Sequence, residues 1–408
     1  MLAHRSVPAH RAEQGRPRPK VGDIFRRFGP AYRQRHGVTD AQAKVMRAIE
    51  TCRTPALGGH RRVCEDCGVV VDELNSCRNR HCPTCQALPQ AKWIAQRQQR
   101  VLPVQHFHVV STLPAQLRPI AHLNRELVFA LLFRVSADTL LTLGRDPERL
   151  GVQLGITAVL HTWTRELGFH PHVHCVVTAG GLAAEGSPRW IHVTDFLFPV
   201  RVLSRLFRGK FLAGLQKLYD AGKLIMPSGS NDSGVDAAFQ QLKDELYEIE
   251  WNVYCKQPFG GAQNVFSYLG RYTHRVAVSN QRLICYDDSG VCFATKDGNT
   301  ITLPPDEFIR RFLMHVLPAG FTKIRHYGLM ASGNVNGRLE VARGLLTPEK
   351  AANEDAELSE PDITELPWED VFLRLTGIDL RICPECGSMN VRRYCIPRSR
   401  SPPPQDTS

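Results

Sequence analysis

Two histidines two residues apart, His172 and His174 in the stretch His170-Pro171-His172-Val173-His174-Cys175-Val176-Val177, are the residues of this chain best suited to chemistry. They run directly into an apolar, β-branched stretch that reads as a buried strand. On a strand, residues i and i+2 point to one face, so both imidazoles aim at one spot while Val173 turns into the core. Neutral imidazole binds divalent metals, and two from one strand fix half of a coordination sphere while leaving the other side open. Alone, the pair also suits ordinary packing in a chain with 16 histidines. His161, on the preceding apolar run Ala158 to Trp163, raises the metal reading. The turn-like Arg165-Glu166-Leu167-Gly168 separates the two runs, and an antiparallel hairpin would bring His161 opposite the pair as a third imidazole. His170 competes for that place: it precedes Pro171, where the chain is biased to be extended, and it shares the alternation parity of His172.

A second group lies downstream. Val265 to Ala277 reads as a helix on which Tyr268, Tyr272 and Arg275 form a stripe beside the apolar face of Phe266, Leu269, Val276 and Ala277. Two phenols at i and i+4 share a face, and in isolation such a pair is more often packing than catalysis. Taken with a metal that has open positions, they specify a chemistry. The metal polarises a phosphodiester, and a tyrosine oxygen attacks phosphorus and holds the cleaved strand as an ester. The ester keeps the bond energy, so a 3′-hydroxyl can later reverse the step. A second tyrosine allows a second cleavage before the first is resolved.

With those residues in view, the chain resembles the two-tyrosine branch of the HUH nucleases, and more narrowly the rolling-circle transposases of the insertion-sequence 91 class. Three blocks carry the resemblance in order: Cys77-Arg78-Asn79-Arg80-His81-Cys82-Pro83-Thr84-Cys85-Gln86, Leu160 through His174, and Tyr268-Leu269-Gly270-Arg271-Tyr272-Thr273-His274-Arg275. It covers roughly residues 20 to 345. The resemblance implies an α+β fold with an antiparallel-sheet HUH nuclease core and inserted helices, preceded by a small zinc-stabilised module. It implies catalytic tyrosines Tyr268 and Tyr272, a 5′-phosphotyrosine intermediate, and Mg²⁺ or Mn²⁺ held by His172, His174 and a third histidine on the preceding strand, a place that His161 occupies. The implied partners are the single-stranded ends of a mobile element and its target DNA, in a prokaryotic cytoplasm. A replication initiator or relaxase would use the same chemistry, and a zinc-dependent DNA-binding protein without nuclease activity is the alternative from another class.

The cysteines carry the strongest spacing signal. Residues 52 to 85 contain Cys52 with His60, Cys64-x2-Cys67, Cys77-x3-His81 and Cys82-x2-Cys85. Four pairs can serve two zinc ions. A cross-braced order gives one site from Cys64, Cys67, Cys82 and Cys85, and a second from Cys52, His60, Cys77 and His81. So short a segment builds little apolar core, and zinc would hold it together. Arg78 and Arg80 between the ligands make a basic knuckle suited to DNA, as do Arg271 and Arg275 beside the tyrosines, although a protein-docking surface would look the same. Near the carboxyl end, Cys383-Pro384-Glu385-Cys386-Gly387 is half a zinc ribbon, with Cys395 as a possible third ligand and no fourth in sight.

The elements that must position these groups fit the gross composition. The chain has 408 residues and a formal charge of +11, enough for two or three cores and favouring a polyanionic partner. Thirteen cysteines, an odd count, with a basic, proline-rich start in place of a signal peptide, argue for zinc in a reducing compartment over disulfides. No stretch reads as a membrane span. The expected order is a flexible basic arm (1–20), a zinc-binding DNA-recognition domain (21–100) and a catalytic domain (101–345). An acidic linker (346–375) and a tail (376–408) follow. Within the catalytic domain, strands are expected at 106–112, 153–163, 173–178 and 248–255, with a Gly180-Gly181 turn closing the histidine strand. Helices are expected at 123–143 and 202–218, and a hairpin around Asp287-Asp288-Ser289-Gly290. No phosphate loop of the GxxxxGK[ST] type is present, so unwinding falls to host factors or to the DNA itself.

Overall fold

The structure, a computed structural model, describes residues 18–98, 101–195, 197–227, 232–259, 277–295, 298–347 and 366–399. Helices α1 (Val21–Arg35) and α2 (Asp40–Thr51) come first, the second opened by Thr39 and Gln42 in a capping box. Strands β1 (Gly59–Cys64) and β2 (Val70–Leu74) form a hairpin, and α3 (Ala87–Gln98) leads out of the cysteine-rich segment. The central region then contributes β3 (His106–Thr112), α4 (Arg118–Leu123), α5 (Arg125–Arg145), β4 (Val152–Trp163), β5 (Phe169–Ala183) and β6 (Trp190–His192). It continues with α6 (Val200–Asp220), α7 (Asp232–Glu248) and β7 (Val253–Phe259). A small sheet of β8 (Leu283–Tyr286), β9 (Val291–Ala294) and β10 (Thr300–Leu303) precedes α8 (Pro305–Leu313) and β11 (Ile324–Gly328). The chain closes with α9 (Arg338–Leu346), α10 (Trp368–Thr376) and β12 (Val391–Ile396).

The architecture is α+β with antiparallel sheets. The largest sheet runs β11-β4-β5-β3-β7, with β6 paired to the end of β5. Its strands alternate: Ile156, Ala158 and Leu160 of β4 and Val173, Cys175 and Val177 of β5 enter one core with Phe129, Leu132 and Phe133 of α5 and Phe207 and Phe211 of α6. The other face carries the histidines. Because side-chain period on a strand is 2, packing one set against the helices forces the other set outward.

A second core joins segments far apart in sequence. Ile24 and Phe25 of α1, Met46 and Ile49 of α2, Cys52 and Cys82 pack with Phe293 of β9, Phe308 and Phe312 of α8, and Leu167 from the β4–β5 turn. The N-terminal helices and cysteines thus share a core with residues beyond 277, and the packing cuts across the division expected at residue 100. The third sheet, β12-β1-β2, does the same at the other end of the chain, since the tail strand pairs with β1 from Gly59↔Ile396 to Cys64↔Val391.

Several expectations need correction. The strand expected from Glu248 begins at Val253, and Asp232–Glu248 is a helix that sequence reading missed. Its apolar residues Phe239, Leu242 and Leu246, at helical spacing, bury in the large core. Gly180 and Gly181 do not end the histidine strand. β5 continues to Ala183, and Gly180 (φ +119°) sits where a Cβ would lie 2.1 Å from the Ile191 carbonyl, so glycine lets β6 pair there. The acidic linker extends only partly as expected: 348–365 lies outside the described residues, and α10 follows from Trp368. Among the described residues one helix, α5, is long and apolar enough to cross a membrane by length and composition, although no such stretch was expected. Two thirds of its most apolar window (67%) is buried inside the protein.

Candidate metal centre

The β4–β5 hairpin sets His161 directly opposite His172, and Val159 opposite His174. His161, His172 and His174 therefore share one face across two strands, and each offers a ring nitrogen within 4.8 Å of the others. Ring centroids are 4.2 Å apart for His161 and His174, 4.9 Å for His172 and His174, and 5.4 Å for His161 and His172. His170, the competing third ligand, is outside this trio. Its Nδ1 lies 3.1 Å from an Arg118 guanidinium nitrogen.

The surroundings orient the rings. His172 Nδ1 lies 2.7 Å from the His170 carbonyl, to which it donates, and this leaves Nε2 for a ligand. His174 Nδ1 lies 2.7 Å from Nε2 of His108 on β3, with the two rings parallel. His174 Nε2 is shielded from solvent and has no hydrogen-bond partner among the described residues. His161 stacks on Trp163, which also meets the His315 ring edge-on and lies under the Lys323 amine, 4.7 Å from the ring centroid. Burial pushes the His172 imidazole down to about 4 and holds His161 and His174 well below the ordinary histidine value, the neighbouring imidazoles adding to the effect. All three are neutral bases at pH 7, the form that binds metal. A shielded, unpartnered nitrogen converging with two others is what a divalent ion would satisfy, so the residues fit one.

The turn between the strands is clamped to the second core. Leu167 adopts φ +62° with its side chain fully buried, and Arg311 and Arg282 donate to the carbonyls of Glu166 (2.9 Å) and Arg165 (2.5 Å). Buried His315 ties β4 to the turn, with Nδ1 3.2 Å from Thr162 Oγ1 and Nε2 3.1 Å from the Leu167 carbonyl. The histidine hairpin is thereby held at its tip as well as along its ladder.

The cysteines group otherwise than spacing suggested. Cys52, Cys77, Cys82 and Cys85 form one cluster; Cys64, Cys67, Cys383 and Cys386 form another. Cys64 and Cys67 are thus not joined to Cys82 and Cys85. His60 lies on β1 between Glu73 and Cys395, outside either cluster, as does Cys395 itself. His81 is excluded because both ring nitrogens are engaged, Nε2 accepting from the Leu317 amide (3.2 Å) and Nδ1 lying 3.1 Å from Asn79 Oδ1. In the first cluster Cys77 Sγ and Cys85 Sγ are 3.7 Å apart. Sulfurs about 2.3 Å from a tetrahedral zinc ion lie about 3.8 Å from one another. The donor set therefore fits zinc, while a disulfide would need sulfurs at about 2.05 Å.

Arg80, expected as a DNA contact, is exposed but also holds the chain together. It donates to the carbonyls of Phe321 (2.6 Å) and Pro318 (2.9 Å), tying the cysteine knuckle to the chain that leads into β11. Arg78, at φ +53°, remains exposed. Tyr268, Arg271, Tyr272 and Arg275 lie outside the described residues. The signal that was missed is His108: it sits in an alternating strand of its own, and nothing in its local sequence reveals which strand will lie beside it.

Residues 24–113 match a family described as "Transposase zinc-binding domain", of the insertion-sequence 91 type, and residues 155–337 match one described as "Putative transposase". A relative from Sinorhizobium fredii, described as "Putative transposase y4qJ", is 47% identical over 378 residues, covering 90% of this chain and 93% of its own. The "Transposase for insertion sequence element IS801" of Pseudomonas savastanoi pv. phaseolicola is 29% identical over 317 residues, 72% of each chain. No solved structure matches. With a zinc-binding domain ahead of a transposase domain and a relative matched along nearly its whole length, the chain belongs to the insertion-sequence 91 class of transposases, enzymes that act on DNA.

Proposed function

We propose that this transposase is a metal-dependent single-strand DNA nuclease and strand transferase that works through a covalent 5′-phosphotyrosine intermediate. The observation that carries the reading is the convergence of the His161, His172 and His174 nitrogens, with His174 Nε2 shielded and without a hydrogen-bond partner among the described residues. These three would hold Mn²⁺ or Mg²⁺. Among the described residues no carboxylate belongs to the cluster, and an all-nitrogen set favours Mn²⁺, because Mg²⁺ prefers oxygen ligands. When bound, the ion supplies Lewis-acid polarisation of the scissile phosphodiester.

The rest falls to the chain. β7 ends at Phe259, beside His106, and the described chain resumes at Ala277, buried in the core that also contains Leu167 of the hairpin turn. Tyr268 and Tyr272 fall between these two points, outside the described residues, and are the nucleophiles in this reading. A phenol oxygen forms the bond to phosphorus as the bond to the 3′-oxygen breaks, and the phenol proton ends on that 3′-oxygen. Attack by a 3′-hydroxyl reverses the exchange and rejoins DNA. Lys256, exposed and paired in register with His108 on the histidine face, provides positive charge for the phosphate backbone. The N-terminal cysteine module, with Arg78 exposed, recognises the element's ends.

The test is a denaturing-gel shift with labelled single-stranded DNA from the element's ends. Wild type, Tyr268→Phe, Tyr272→Phe, the double variant and His172→Ala are compared with and without Mn²⁺. A metal-dependent covalent band that the double phenylalanine variant lacks is expected. A band that persists in that variant refutes the assignment of the nucleophiles.

A further inference from the structure

The two CxxCG segments of this chain are 316 to 322 residues apart in sequence and meet in space. We propose that Cys64, Cys67, Cys383 and Cys386 form a second, discontinuous zinc site that clasps the C-terminal segment onto the N-terminal module and completes a zinc ribbon that neither segment can form alone.

Geometry, strand pairing and turn chemistry converge on it. Cys64 Sγ lies 3.6 Å from Cys386 Sγ and Cys67 Sγ 3.6 Å from Cys383 Sγ, close to the spacing of about 3.8 Å set by a tetrahedral zinc tetrathiolate. The two turns are copies of one another. In Cys64-Glu65-Asp66-Cys67-Gly68 the Gly68 amide donates to the Cys64 carbonyl at 2.9 Å, and in Cys383-Pro384-Glu385-Cys386-Gly387 the Gly387 amide donates to the Cys383 carbonyl at 3.0 Å. Both glycines are left-handed, at φ +73° and +74°, which lets each chain fold back after its second cysteine.

The turns are also joined directly. Asp66 accepts from Ser388 Oγ and from Asn390 Nδ2, and the Glu65 amide donates to the Asn390 carbonyl at 3.0 Å. β12 extends the β1–β2 hairpin to three strands, and Arg62, buried in that sheet, donates to the Leu380 carbonyl at 2.7 Å. Arg393 lies over the Trp368 ring at 5.5 Å, bringing α10 to the same unit. The sheet has little apolar core of its own, since Val71, Arg62, Glu73 and Arg393 occupy its inner face. Metal ligation is what such a small unit uses to stay folded.

Zinc stoichiometry tests this independently of nuclease activity. The purified full-length chain is expected to carry two zinc ions, by elemental analysis. Cys383→Ser/Cys386→Ser and Cys64→Ser/Cys67→Ser are each expected to carry one, with residues 366–396 newly open to limited proteolysis. Two ions retained in the Cys383/Cys386 variant overturn the proposal. Should the serine variants fail to fold, X-ray absorption on wild type decides: two ions per chain with four sulfurs each support the clasp, and a single ion or a mixed nitrogen and sulfur shell overturns it.

Discussion

His108 makes no contact that a ligand list would include, yet replacing it should weaken the metal site. Its Nε2 is the partner of His174 Nδ1 at 2.7 Å, and burial, with Lys256 nearby, pushes the His108 imidazole down to about 4, so it is neutral and can accept at pH 7. If His174 binds metal through Nε2, its Nδ1 carries the proton and donates to His108. His108→Ala then leaves a shielded N–H without its acceptor, at a cost of about 1–3 kcal/mol, and releases the ring from its orientation. Hydrogen-bond partners that hold metal-bound histidines in place are typically worth about 10- to 100-fold in affinity. The expected result is Mn²⁺ binding weakened by about that factor, toward the lower end if water enters the space left. Isothermal titration with Mn²⁺ measures it on the protein without DNA. Covalent adduct formation across a Mn²⁺ series gives the second readout, in which saturating metal should restore most of the wild-type rate. His108→Gln, which keeps an acceptor, should recover part of the affinity. Unchanged Mn²⁺ affinity in His108→Ala, or an adduct defect that saturating metal leaves intact, would refute the positioning role.

Other consequences are simpler to check. Arg80→Ala removes two charge-assisted hydrogen bonds to the Phe321 and Pro318 carbonyls and should cost about 1.5–3 kcal/mol in chemical denaturation, whereas Arg78→Ala should leave stability unchanged. Gly328 has φ +60° and a Cβ there would lie 1.9 Å from the Leu154 carbonyl, so Gly328→Ala should destabilise by at least about 3 kcal/mol or prevent folding, read by thermal unfolding. His81 and His315 are both pushed down to about 3 by burial. The unfolded chain, with histidines near 6.5, binds more protons between about pH 6.5 and pH 3, so stability must fall as pH drops through that window. At pH 5 the loss is about 2 kcal/mol per histidine as an upper figure. Denaturant titrations at pH 7.5, 6 and 5 should show it, with a shallower fall in His315→Gln.

What the sequence determined by itself was whatever depends on local geometry. A strand's period of two puts His172 and His174 on one face whatever surrounds them, so that pair was legible from spacing, whereas His161 and His170 both stayed open as the third ligand until the hairpin register set His161 opposite His172. The CxxC pairs were legible for the same reason, because two cysteines three apart in a tight turn present their sulfurs together. Which pair meets which is a different matter. Cys64 and Cys67 have Cys82 and Cys85 nearby in sequence, but their partners in space are Cys383 and Cys386, brought in by a strand that pairs with β1 from the far end of the chain. Tertiary structure also decided that Arg80 donates to two carbonyls, that His81 spends both nitrogens on hydrogen bonds, and that His108 stands behind His174. The helix Asp232–Glu248 escaped because its polar residues outnumber the few apolar ones that anchor it. In each case the deciding energy is a contact between residues remote in sequence, and local propensity carries no information about such partners.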